Sequence, residues 1–141
     1  DHAINYSKDD FQAVVRDKTG GRGVDVVYDS VGKAVFAKSL DCLRPRGMMV
    51  LYGGSSGPVP PFELQRLAGS GSLFITRPTM VHYIASREEL VWRAGDLFTW
   101  IREGRLTVRI GGTYPLADAA RAQEDLAARR TTGKLLLLPG L

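Results

Sequence analysis

At 141 residues, with 19 basic against 15 acidic side chains and a net charge of +4, the chain has room for one domain with a real core and little more. Its one cysteine excludes an internal disulfide and a zinc site built mainly from thiolates, and no apolar run reaches membrane-spanning length. Basic residues such as Arg16, Arg44, Arg66, Arg87, Arg105 and Arg121 are scattered among acids rather than gathered on one stretch, which argues against nucleic acid as a partner.

The opening Asp1-His2-Ala3-Ile4-Asn5-Tyr6 has no methionine and runs at once into a strand-like Ala3-Ile4-Asn5-Tyr6, as though the chain were cut in mid-domain. No secretory signal opens it, and a cytoplasmic protein is the default expectation. Ser7 followed by Asp9 and Asp10 reads as a helix start, with Phe11, Val14 and Val15 on the apolar face. Thr19-Gly20-Gly21-Arg22-Gly23 then stops that helix. A phosphate cradle needs the reverse order, strand then glycine loop then helix, so that helix amides point at the anion.

Residues 24–28 are nearly continuous and β-branched, which predicts a buried strand covered on both faces. Asp29, Ser30 and Gly32 turn the chain at its carboxyl end, the edge where open α/β sheets bind ligands. Asp29 and Ser30 suit either ligand contact or the capping of that turn. Residues 34–43 have helical spacing in Val35, Ala37, Leu40 and Leu43, with Cys42 expected as a buried thiol, and Arg44-Pro45-Arg46-Gly47 predicts a turn. Met48-Met49-Val50-Leu51-Tyr52 predicts a second strand, tipped by Gly53-Gly54-Ser55-Ser56-Gly57. Pro58, Pro60 and Pro61 are non-helical, residues 62–67 suit a short helix, and residues 72–77 a third strand halted by Pro78.

Further on, Ser86-Arg87-Glu88-Glu89 is a capping-box pattern leading into a stripe of Leu90, Ala94, Leu97 and Ile101, with Gly104 as the stop. Trp92, Phe98 and Trp100 on that helix are expected in the core. Residues 106–110 read as a short strand, Gly111-Gly112 as a break, residues 115–128 as a helix and residues 134–138 as a last buried strand. Strands alternating with helices argue for an α/β fold. Gly53-x-Ser55-x-Gly57 imitates a hydrolase elbow, but prolines follow it where a helix must, and His82 is the only downstream histidine. His82 itself reads as a loop or half-buried residue, and His2, Asp25 and Asp29 form no metal set of known spacing.

Taken in order, Ala3-Ile4-Asn5-Tyr6, Thr19-Gly20-Gly21-Arg22-Gly23-Val24-Asp25-Val26-Val27-Tyr28-Asp29-Ser30-Val31-Gly32, Ser39-Leu40-Asp41-Cys42-Leu43, Gly47-Met48-Met49-Val50, Gly53-Gly54-Ser55-Ser56-Gly57 and Gly71-Ser72-Leu73-Phe74-Ile75-Thr76-Arg77-Pro78 resemble the zinc-free quinone oxidoreductases. These zeta-crystallin-like enzymes belong to the medium-chain dehydrogenase/reductase superfamily. The resemblance implies one- or two-electron reduction of a quinone-like acceptor by NADPH. It also implies a partial Rossmann-type sheet, doubly wound and mainly parallel, that keeps strands three to six and lacks its first strands. Residues 1–85 would then be part of the dinucleotide-binding domain, and residues 86–141 a helix–strand segment returning to a catalytic domain absent from this sequence. By matching position, Tyr6 would approach the adenosine 2′-phosphate and Val31 the adenine side. Tyr52, Gly53, Gly54 and Ser55, with Pro78, Thr79 and Met80, would follow the nicotinamide end. Arg129 would reach the cofactor from the carboxyl-terminal loop, Arg130 being an equal candidate.

No catalytic acid or base and no metal ligand is assigned. The glycine-rich dinucleotide loop is missing, so the stretch alone is expected to bind NADPH weakly and to lack activity. Residues 106–110 and 135–138 are expected to pair with each other, swap between chains or stay mobile. A homodimer through residues 72–77 is expected from the open edge of that strand. The alternatives are a Rossmann methyltransferase fragment and a non-catalytic dimerisation module.

Overall fold

The computed structural model describes residues 1–140. They form two compact units, the first from Asp1 to Tyr83 and the second beginning at Ile84. In the first unit α1 (Phe11–Lys18), β1 (Val24–Asp29), α2 (Phe36–Asp41), β2 (Leu43–Leu51), α3 (Gln65–Gly69), β3 (Phe74–Thr76) and α4 (Met80–Tyr83) follow in order. β1, β2 and β3 make a three-stranded, wholly parallel sheet in that spatial order. Parallel neighbours need a crossover, and α2 supplies the first one, lying against both β1 and β2.

Alternation along the strands decides where the core sits. Val27, Asp29, Met49, Leu51 and Ile75 share one sheet face by register. On that face Met49 is 0% exposed and clusters with Phe36, Leu40, Leu43, Leu51 and Leu73. Phe36 meets Phe62 edge-on at 5.4 Å between ring centroids, an arrangement favoured by the ring quadrupoles. Cys42 is buried here as expected, and its thiol is pushed up by burial, with the neighbouring Asp41 charge adding to the shift.

The opposite face corrects the expectation of a strand covered on both sides. Val26, Tyr28, Met48 and Phe74 lie there exposed, Tyr28 at 72% and Phe74 at 57%. An apolar strand reports a preference for cover, but the cover must come from another element. Among the described residues only one face receives it.

Local boundaries differ for similar reasons. Residues 3–6 form no strand, because no neighbouring strand pairs with them. Ser7 is not the helix cap either: its amide donates to Asn5 Oδ1 at 3.1 Å in a turn, and Asp10 takes the cap position without a side-chain bond. The turn expected at Arg44–Gly47 is drawn into β2 as an irregularity between the pairs Val24↔Leu43 and Val26↔Met48, with Arg46 at φ 62°. The short helix expected over residues 62–67 is displaced to α3. His82 lies exposed on α4 rather than in a loop.

The second unit holds α5 (Arg87–Arg102), β4 (Ile110–Pro115), a 3-10 turn (Leu116–Asp118), α6 (Ala119–Ala127) and β5 (Lys134–Leu138). Ser86 caps α5 with both halves of the capping box: Glu89 N–H donates to Ser86 Oγ at 3.2 Å, and Ser86 N–H to Glu89 Oε2 at 3.4 Å. Ser86→Ala is therefore expected to lower the thermal stability of this unit by about 1 kcal/mol, and Ser86→Asp to restore most of it. A calorimetric melt in which the alanine variant matches wild type would remove the cap from the account.

α5 buries none of its residues, so Trp92, Phe98 and Trp100 are surface side chains, not core; Phe98 is 70% exposed. β4 begins later than residues 106–110 and includes the glycines expected as a break. It pairs in parallel with β5, from Ile110↔Lys134 to Pro115↔Leu138. Of residues 106–110 only Ile110 enters that ladder, so the partner of β5 is the glycine-bearing stretch after them, and β5 is mostly exposed rather than buried. No helix among the described residues is long and apolar enough to cross a membrane.

Candidate functional site

Because β1, β2 and β3 are parallel, their carboxyl ends share one rim, and the loops that leave them meet there. The first loop is built around Asp29, 3% exposed. Its Oδ1 accepts the Val31 amide at 2.7 Å and the Gly32 amide at 2.9 Å, which winds the chain tightly off β1. Asp29 therefore caps the turn.

The second loop zips onto the first. Tyr52 and Gly53 amides donate to the Asp29 carbonyl at 3.0 and 3.2 Å, Ser55 N–H to the Ser30 carbonyl at 3.2 Å, and Ser56 N–H to the Val31 carbonyl at 2.9 Å. Ser56 Oγ donates to the Val31 carbonyl at 2.6 Å and accepts the Ala34 amide at 2.9 Å. No side chain fits between the loops at two points. A Cβ added to Gly53 would lie 2.7 Å from Ser30 Cα. One added to Gly32 would lie 2.9 Å from the Gly57 carbonyl oxygen, and Gly32 already sits at φ +82°. The result is a cradle whose floor is backbone.

Two grooves flank it. One of about 260 Å3 is lined by Tyr6, Val31, Phe11, Val27, Tyr28 and Asp29, so Tyr6 and Val31 share one groove. The other, of about 650 Å3, is lined by Tyr52, Arg77, Pro78, Thr79, Met80 and Tyr83, uniting the tips of β2 and β3. Gly53, Gly54 and Ser55 lie in the loop that follows Tyr52. Arg77, read from the sequence only as the end of a strand and not as a site residue, donates to the Leu51 carbonyl at 3.0 Å and so ties the β3 tip to the end of β2. Ser56 was likewise missed; its only sequence signal is the doubled serine after two glycines.

Arg129 belongs to the second unit, in the turn between α6 and β5, where its neighbour Arg130 joins Tyr114 of β4 and Asp125 of α6 in a cluster. Tyr114 Oη donates to Asp125 Oδ2 at 2.9 Å, and Arg130 binds Asp125 Oδ1 through Nε at 2.8 Å and through its terminal nitrogen at 2.7 Å. The Arg130 hydrogen bond, then that of Tyr114, holds the Asp125 carboxyl below its ordinary value, while the same carboxylate raises the Tyr114 hydroxyl. The buried side-chain polar atoms lacking a partner among the described residues are Asp29 Oδ2 and Thr131 Oγ1, one beside each of these candidate loops.

A parallel α/β sheet with glycine-bearing loops at its carboxyl rim is the architecture of a Rossmann-type nucleotide-binding protein. The sequence profile of the zinc-binding dehydrogenase family matches residues 1–137, and the chain belongs to that family. It is 49% identical over 139 residues to a 2-haloacrylate reductase from a Burkholderia species, covering 98% of this chain and 42% of that protein. It is 46% identical over 138 residues to quinone oxidoreductase 1 of Escherichia coli, again covering 42% of the relative. The crystal structure of an Escherichia coli quinone oxidoreductase complexed with NADPH superposes with a TM-score of 0.91 at 46% identity, over 96% of this chain and 42% of that one. The chain thus spans about two fifths of the length of these relatives. Although the family is named for zinc, the described residues hold no group of three or more His, Cys, Asp or Glu able to bind a metal ion, and the residues present do not fit one.

Proposed function

We propose that this chain serves an NADPH-dependent oxidoreductase that reduces quinone-like acceptors without zinc. The observation that carries the reading is the backbone cradle at the sheet rim, where Gly53 and Gly32 leave no space for a Cβ. A dinucleotide laid across strand tips needs such close backbone approach. Tyr6 and Val31 serve the adenosine side of the cofactor. Tyr52, Gly53, Gly54, Ser55, Pro78, Thr79 and Met80 serve the nicotinamide side, and Arg129 contacts an anionic group. When bound, NADPH supplies the hydride, so the protein's task is to orient it and keep water away. Arg77 and Ser56 fix the rim, and Tyr52 and Met80 give the second groove its apolar wall. Residues 1–85 act in cofactor binding, and residues 86–141 in joining it to a catalytic region.

The likeness to a 2-haloacrylate reductase favours a second acceptor class. Quinones and haloacrylates share an electron-poor carbon–carbon double bond conjugated to a carbonyl group; a quinone accepts hydride at a ring carbon or a carbonyl oxygen, a 2-haloacrylate at its β-carbon, and a proton completes each reduction. The experiment is NADPH oxidation by the full-length protein, followed by absorbance, with a benzoquinone and a 2-haloacrylate in parallel. Turnover of neither acceptor, with no binding of NADPH, would end this reading.

The relatives' names say nothing of assembly, but β3 is an edge strand of only three residues with Phe74 exposed. We place a homodimer there, residues 72–77 pairing with the same strand of a second copy about a two-fold axis. Light scattering is expected to give twice the chain mass, and Ile75→Pro to shift it toward monomer. A wild-type monomer at high micromolar concentration would rule the dimer out. A cytoplasmic location accords with this redox role.

A further inference from the structure

Among the described residues three helices end in the same hydrogen-bonded turn, and one of them breaks its composition rule. After α1, Gly21 N–H reaches the Arg16 carbonyl at 2.8 Å and Gly20 N–H the Asp17 carbonyl at 3.1 Å. After α5, Arg105 N–H reaches Trp100 at 2.8 Å and Gly104 N–H reaches Ile101 at 3.1 Å. After α6, Arg130 N–H reaches Asp125 at 3.0 Å and Arg129 N–H reaches Leu126 at 3.1 Å. This is the Schellman arrangement, whose left-handed residue is usually glycine because a Cβ is disfavoured there. Gly20 and Gly104 obey, at φ 58° and 71°; the third position holds Arg129, at φ 57°.

A strained, long and charged side chain where the same chain elsewhere uses glycine points to a job for that side chain. Its neighbour sharpens the point. Arg130 is taken up by Asp125 through two guanidinium bonds and the backbone bond, and Asp125 is itself held by Tyr114, over whose ring Arg121 stacks at 5.4 Å. Arg129 is exposed and enters none of these bonds. Of two adjacent arginines, one is anchored and the other is left to meet a ligand.

Resting on the NADPH reading, we propose that Asp125 is a positioning residue: by clasping Arg130 it fixes the α6–β5 corner so that Arg129 alone is presented to a phosphate monoester, and it thereby sets the preference for the phosphorylated cofactor. Arg129 contacts the ligand; Asp125, Tyr114 and Arg130 act through it.

The test measures dissociation constants of NADPH and NADH for the full-length protein by titration calorimetry, alongside melting temperatures. Arg129→Gly is expected to melt no lower than wild type, because glycine relieves the left-handed backbone. It should bind NADPH about tenfold or more weakly, the loss of one charge-assisted contact, and bind NADH unchanged. Asp125→Ala should reduce the NADPH-over-NADH preference several-fold, and Asp125→Glu should recover part of it. Leu135→Ala, a packing loss in the same unit, should lower the melting temperature without moving the preference. An Arg129→Gly variant with unchanged NADPH affinity, or an Asp125→Ala variant with unchanged preference, overturns the proposal while leaving the NADPH reading intact. Wild-type protein that binds neither nucleotide overturns both.

Discussion

Alanine at position 53 is expected to destabilise the first unit by about 3 kcal/mol, the upper end of what overpacking costs, and to weaken the NADPH binding proposed for the full-length protein. The added methyl would lie 2.7 Å from Ser30 Cα and 2.9 Å from the Ser30 carbonyl carbon. Neither atom is the end of a flexible side chain, so relief requires the two strand-tip loops to part. Parting them breaks the bonds that run from Tyr52, Gly53, Ser55 and Ser56 back to the first loop. Urea denaturation and nucleotide titration read the two consequences separately. A Gly53→Ala variant with wild-type midpoint and wild-type affinity would mean that the loops are not held as closely as described.

Asp29→Ala is the second large effect, expected at about 2–3 kcal/mol, because two amides lose their acceptor and at least one of them is buried. Asp29→Asn separates the roles of the two carboxylate oxygens. It keeps an acceptor for Val31 and Gly32 but puts an amide nitrogen where Oδ2 now stands unpartnered. Its cost should be closer to about 1 kcal/mol. Equal losses for the alanine and asparagine variants would show that the turn does not depend on Oδ1. The comparison is made by denaturant midpoint, with amide exchange at Val31 and Gly32 as the local readout.

These residues also show what a sequence can reveal. Ser86 and Glu89 announced α5 correctly because a capping box is written within a few residues and needs no distant partner. Asp29, Gly32 and Gly53 were legible as a rim because small and acidic residues follow buried strands at both tips. What failed depended on partners far along the chain. Residues 3–6 have strand composition but no neighbour to pair with, and Tyr28 has an apolar face but no cover. Gly111 and Gly112 read as a break because glycine carries no pattern, yet pairing with β5 extends the strand through them. Ser56 and Arg77 escaped notice for a further reason: their partners are backbone atoms of other loops, and nothing in their neighbours' identity advertises that. That Asp125 takes up Arg130 and not Arg129 likewise depends on the folded corner, which brings residues of α6 and the following turn together.

The lone buried thiol described above doubles as a clock. Thiol reagents attack the thiolate, and Cys42 is both covered and held toward its protonated form. Modification must therefore wait for the packing of α2 on the sheet to open, and its rate at saturating reagent counts those openings directly. With one cysteine in the whole chain, the count comes from the first unit alone. Nucleotide that settles on the rim should slow it, so a simple colour reaction can report occupancy of the sheet edge without following any turnover.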